Sequence, residues 1–372
     1  MKLLPTFLLA TLLAAAADGQ TVYDRHVIFD NSLPEGGYDS SNSYLVAPST
    51  LETHEGKFPV DADRFVSPPN GLRLRWRSAP GGDWRMTVEI SRRYARPFRF
   101  EGDSLTFWCF ADREITAANS PRVFLQDADK HGSPAVTLVN GDARIPARAW
   151  TLVTLPFAAL RTPRFHGTDD SKYRVAATVS VSFMQGLDDD QEHTLYLDDF
   201  QIRDAHTGDS TPPAAPGAVA VRAYERHVDV SWPPSSAEDL LAYRIYRSTD
   251  ALTYVPVGTQ QGTRTRFADF LGDPAQEASY RITAIDLAGN ESSPSPESPR
   301  AITRPMNDEE LLNMTQEACF RYYWEAAHPE AGLAPEVLPG NPNLLALGGS
   351  GFGVMALIVG AERGFAPRAQ VA

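Results

Sequence analysis

Glu317, Glu325, Glu330, Glu336 and Glu362 stand among aromatic and glycine-rich residues near the C-terminal end of the chain. Two carboxyl groups held about 5–10 Å apart can divide the duties of acid and base between them. None of these five forms an obvious pair on one helix face with the apolar neighbourhood that raises a carboxyl pKa. Glu325, inside the stretch F-R-Y-Y-W-E-A-A-H-P-E-A-G-L-A at Phe320–Ala334, is the one local catalytic candidate, with exposed helix surface as its alternative. Tyr323, Trp324 and His328 beside it are residue types that wall a binding pocket. Core packing suits Tyr323 equally, and His328 could serve only to cap a helix end.

Two helices must position these groups. Asn307 and Glu310 form a capping box, and Asp308 and Glu309 favour the positive end of the helix dipole. Leu311, Leu312, Thr315, Cys319, Tyr322, Tyr323 and Ala326 recur at helical spacing on one face. His328-Pro329 ends that helix, because a proline pushes its predecessor out of helical geometry. Gly332–Leu347 reads as loop. Val354–Arg363 reads as a second helix, apolar on nearly every side and stopped by Gly364. A helix apolar all round must be buried all round, so the segment 305–372 is expected to be the truncated start of a larger helical domain, with the catalytic acids beyond Ala372. The cluster Gly348–Gly353 lacks the strand and βαβ context of a phosphate-binding loop. Close helix approach, or backbone lining a cleft, explains those glycines better.

Upstream, residues 21–205 alternate apolar and polar types with period two. Leu72, Leu74 and Trp76 alternate with arginines, and Trp84, Met86, Val88 and Ile90 with Arg85, Thr87 and Glu89. Further strands fit Ser104–Phe110, Arg122–Gln126, Ala135–Val139, Thr151–Pro156, Ala177–Phe183 and Thr194–Ile202. Seven to nine antiparallel strands imply an all-β sandwich or jelly roll. The patterns A-W-T-L-V-T-L-P-F-A-A-L at Ala149–Leu160 and L-Y-L-D-D-F-Q-I at Leu195–Ile202 resemble the closing strands of a galactose-binding-like jelly roll, the fold of many carbohydrate-binding modules. That resemblance implies a structural calcium ion at Asp198 or Asp199, with Asp30 and Glu35 near by in the N-terminal segment; a solvated acidic strand end is the alternative. Flat apolar faces stack on sugar rings, which makes Trp76, Trp84, Tyr94 and Trp108 candidates for sugar contact. Trp108 falls on the opposite face from Phe107 and Cys109 and is expected to face outward, unless both faces of the sheet are covered. Trp150 is assigned to the core.

Thr211–Pro216 is a stiff proline-rich linker. Beyond it, Val228–Trp232, Leu241–Ser248, Arg266–Phe270 and Ala278–Asp286 read as strands of a second sandwich over residues 212–304. This stretch resembles a fibronectin type III domain, with Trp232 as its buried tryptophan, Tyr280 as the corner tyrosine tied to backbone, and Gly289-Asn290 at the final turn. A spacer role is expected of it.

Lys2, the apolar run Leu3–Leu13 and Ala15–Ala17 have the layout of a cleaved secretory signal within residues 1–20, too short for a membrane anchor. A periplasmic or secreted location follows. The formal net charge of −13 argues against nucleic acid and anionic membrane as partners. The two cysteines, Cys109 and Cys319, are expected to be separate, buried small hydrophobes.

Phe320–Ala334 and G-G-S-G-F-G-V-M-A-L-I-V-G-A-E-R-G-F at Gly348–Phe365 closely resemble the opening two helices of a family of bacterial glucoamylase-like glycoside hydrolases, some of them endo-β-1,2-glucanases. The resemblance implies an (α/α)6 toroid, hydrolysis of a glucan by paired carboxylates, and no catalytic cofactor. A secreted carbohydrate-binding or adhesion protein without catalysis is the alternative.

Overall fold

The computed structural model describes residues 23–25, 27–32, 36–90, 98–161, 172–204, 209–338 and 344–371. The signal-like N-terminus, Glu35 and Tyr94 lie outside the described residues.

The chain builds two β-sandwiches followed by helices. In the first, an eight-stranded sheet centres on Glu192–Arg203, flanked by Ser104–Ala111 with Trp150–Pro156 beyond it, and by Gly71–Arg77 with Phe58–Asp61 beyond. It faces a five-stranded sheet ordered Val136–Thr137, Arg122–Asp127, Thr178–Met184, Asp83–Glu89 and Ser41–Val46. Inward alternate residues such as Leu72, Leu74, Met86, Val88, Leu125, Phe183 and Leu197 are fully buried in one core, as a period-two pattern requires. Trp76 and Trp84 belong to that core too, their rings 5.3 Å apart. They therefore cannot meet a sugar. Trp150 departs from expectation in the opposite sense. It is only half-buried and packs on Phe110, 5.7 Å away, because its register partner Phe110 already points away from the core.

The second sandwich has its own core. A three-stranded sheet, Ala220–Ala223, His227–Ser231 and Arg266–Phe270, faces a four-stranded one, Val255–Gln261, Leu240–Ser248, Glu277–Asp286 and Ala301–Ile302. Trp232 is buried edge-on to Tyr243, and Tyr280 is wholly buried. The Tyr280 hydroxyl donates to the Asp269 carboxylate at 2.9 Å rather than to backbone. Asp269 also receives Arg247, so a buried side-chain pair takes the place of the expected main-chain tie. Gly289 alone supplies the positive φ at the final turn, and a side chain there would collide with Arg203 of the first sandwich.

Helix α1 spans Asp308–Glu325, α2 Leu347–Arg363 and α3 Arg368–Val371. The capping box forms as read: Glu310 N–H donates to Asn307 Oδ1 and Asn307 N–H to Glu310 Oε2, each at 3.0 Å. Gly364, with φ 75°, ends α2 in the left-handed conformation. Two boundaries move. Helix α1 stops at Glu325, before His328-Pro329, and α2 begins at Leu347, so the glycine cluster lies inside it. Gly353, at the end of the cluster, and Gly360 beyond it are the two buried residues of α2. A Cβ at Gly353 would meet Tyr323 at 2.8 Å, and one at Gly360 would run into the Phe320 ring. The small residues let the two helices close on aromatic rings.

Candidate functional site

The helix pair is held by Phe320, the one buried residue of α1. Trp324 stacks on it at 5.6 Å and Phe365 leans on it at 5.8 Å. Tyr323 packs edge-on to Tyr322 at 5.1 Å and covers Gly353. Tyr323 is thus a packing residue between the helices, while Trp324 keeps 37% of its surface exposed. His328 Nδ1 accepts the N–H groups of Glu330 and Ala331 at 3.2 and 3.1 Å, capping the turn after α1. That use fixes the acceptor nitrogen and ties the ring to the loop.

Glu325 is half-exposed and lies 3.4 Å from Arg266 of the second sandwich. Glu317 meets Arg222 at 2.7 Å, and Glu362 is exposed near Arg368. Each of these carboxylates faces a cation and none faces a second carboxylate among the ion pairs of the described residues. Cys319 is exposed rather than buried, since α1 turns Phe320 to its partner and leaves the preceding residue beside it. Cys109 is fully buried, and burial pushes its thiol pKa up.

On the first sandwich, Trp108 is half-buried and points away from the core, between fully buried Phe107 and Cys109. Phe110, Tyr196 and Trp150 share that outward face. The guanidinium of Arg64 lies 4.4 Å from the Tyr196 ring and 5.4 Å from the Phe110 ring, covering part of it. Cross-strand register is what brings Tyr196 and Trp150 to this face.

Asp198 is wholly buried. Its Oδ2 accepts the amides of Val66 and Ser67 at 2.6 and 2.7 Å, and its Oδ1 that of Asp199 at 2.7 Å. Burial, with Asp199 adjoining, raises its pKa against the pull of those amides. Asp199 Oδ1 accepts from Gln201 Nε2 at 2.6 Å, and Asp30 Oδ1 from Asn31 N–H at 2.9 Å. Asp30, Asp198 and Asp199 are not among the clustered groups of three potential ligands in the described residues. The groups of three potential ligands among the described residues are Asp127, Asp129 and His131, and Asp209, Asp239 and Asp286. Asp127 is committed to the amides of Asp129 and His131, each at 2.9 Å, and Asp286 to Asn290. Asp198 pins the Val66–Ser67 loop to the sheet.

No family model matches the chain. It is 37% identical over 368 residues to an exo-β-1,2-glucooligosaccharide sophorohydrolase (non-reducing end) of Parabacteroides distasonis, a match covering 99% of this chain and 50% of that protein. The crystal structure of a β-1,2-glucanase from Parabacteroides distasonis superposes with a TM-score of 0.77 at 35% identity, covering 94% of this chain and 49% of that one. The chain is therefore a homologue of part of a β-1,2-glucan-cleaving glycoside hydrolase, with the same fold over the part that superposes. It spans about half the length of each of these proteins.

Proposed function

We propose that this chain is the sandwich-bearing half of an exported glycoside hydrolase that acts on β-1,2-linked glucan. The observation that carries the reading is the 37% identity sustained over 99% of the chain, through both sandwiches and both long helices. On this reading the first sandwich is a jelly roll that contacts carbohydrate and the second a fibronectin type III spacer. The helices α1 and α2 are the opening pair of an (α/α)6 toroid. Support for a larger helical domain comes from α2 itself. Leu347, Phe352, Val354, Met355 and Ile358 are each at least 59% exposed, an apolar surface that further helices would cover. Support for export comes from the charge, apolar run and small residues of Met1–Ala17.

The catalytic acid and base then belong to the remainder of the toroid, with Trp324 at the edge of the substrate path. Incubation of the 372-residue chain with β-1,2-glucan, followed by an assay for reducing ends, tests this division. No release is expected. Robust release would place the acids within this chain and overturn it.

A further inference from the structure

The five-stranded sheet of the first sandwich carries a cleft of about 420 Å³ on its outward side, away from the aromatic face around Trp108. Strand register places part of its lining. Tyr44, Arg85, Met184 and Arg122 lie opposite one another across four strands, and Asn42, Thr87, Ser182 and Phe124 form the next row on the same face. Neighbouring strands lie about 4.8 Å apart, close to the width of a pyranose ring. In that next row, Thr87 Oγ1 and Ser182 Oγ are 2.8 Å apart. Both residues are buried although they point away from the core. Tyr44 is 49% exposed, and Phe124 lines the same cleft half-buried. Two flat rings in a cleft that Gln126 and Ser133 also line suit the apolar faces and polar edges of sugar rings.

Charge narrows the ligand further. Arg85, Arg122 and Lys130 line this one cleft against the single carboxylate of Asp83. Within the described residues none of the three cations forms a salt bridge, whereas Arg73, Arg75 and Arg77 on the facing sheet each do. Arg85 instead lies over the Tyr44 ring, 5.9 Å from its centre. The chain as a whole is acidic, but salt screens that repulsion beyond about 8 Å, so the local cations decide.

We propose that this cleft binds an oligosaccharide bearing a negatively charged substituent, with Tyr44 and Phe124 against the sugar rings and Arg85, Arg122 and Lys130 on the acid. Arginine is suited to that contact because its guanidinium pairs in two places with a carboxylate or phosphate. The site is separate from the hydrolytic reading, and either can fail without the other.

Calorimetric titration of the whole chain with three ligands of one backbone tests it: a β-linked glucotetraose, the same oligosaccharide oxidised at C6 to glucuronate, and the same phosphorylated at C6. The uronate and phosphate arms distinguish the two sources of charge. At least one is expected to bind tenfold or more tightly than the neutral form, with that preference collapsing in about 0.5 M NaCl. The paired substitution Arg85→Gln and Arg122→Gln should abolish the preference, and Tyr44→Ala should weaken the charged ligand about tenfold. Equal binding of the neutral form, no binding of any form, or a preference that survives the paired substitution would overturn the proposal. The comparison of ligands on the unaltered chain does not depend on any variant folding.

Discussion

Arg321 of α1 reaches 3.2 Å from the Asp229 carboxylate of the second sandwich. Asp229 is 8% exposed. Glu317 extends the contact, lying 3.9 Å from Arg321 and 2.7 Å from Arg222. Glu325 adds Arg266 at the other end of the helix. The helix is docked to the sandwich by a run of alternating charges.

Removing Arg321 leaves Asp229 with His227, 3.7 Å away, as its remaining ion-pair partner among the described residues. Arg321→Met is expected to cost about 1–2 kcal/mol, a value held down by partial exposure. In a double-mutant cycle with Asp229→Asn, the coupling should be about 1 kcal/mol, measured by urea unfolding. Strict additivity would show that the pair contributes nothing.

The glycines of α2 divide into two sets. Gly360→Ala puts a methyl group into the Phe320 ring, and Gly353→Ala presses on Tyr323. Overpacking costs about 1–3 kcal/mol, against about 1 kcal/mol gained in helix propensity. Gly348 and Gly351 have nothing within 4 Å of an added Cβ. Thermal unfolding followed by circular dichroism should show Gly360→Ala lowering the midpoint and Gly351→Ala raising it.

Glu310 has its pKa lowered from 4.5 to about 2, first by Arg304 and then by the Asn307 amide. A depressed acid stabilises the folded form above its unfolded pKa, and that contribution is lost as pH falls through the folded value. The N-terminal turn of α1 should therefore loosen as pH drops from about 4.5 towards 2, with faster amide exchange at Leu311 and its neighbours. Glu310→Gln should remove most of that pH dependence.

Cys319 is exposed and Cys109 buried. A thiol reagent is expected to modify Cys319 alone in the native chain, and both cysteines in denaturant. Native labelling of Cys109 would show that the first core opens readily.

Local pattern made much of this legible. Period-two alternation placed Leu72, Met86 and Phe183 in one core, and Asn307 with Glu310 announced the start of α1. What pattern could not supply was the partner. Trp76, Trp108 and Trp150 are alike in sequence, yet one is core and two face outward, because register decides which side of a sheet is already occupied. The glycines of α2 read as loop until Phe320 and Tyr323 are set against them. Asp198 and Asp199 suggested a cation, but the Val66 and Ser67 amides that occupy Asp198 lie 132 and 131 residues away in the chain. The cleft at Tyr44 and Phe124 escaped for the same reason, its two walls coming from strands far apart in sequence.

The most direct measurement replaces the matching half of the Parabacteroides distasonis sophorohydrolase with this chain and follows product release from β-1,2-glucooligosaccharides. A chimera that folds and cleaves β-1,2 linkages, beside an inactive chain on its own, is the expected result. A chimera that folds but leaves β-1,2-glucooligosaccharides intact, or a chain that cleaves them unaided, would contradict it.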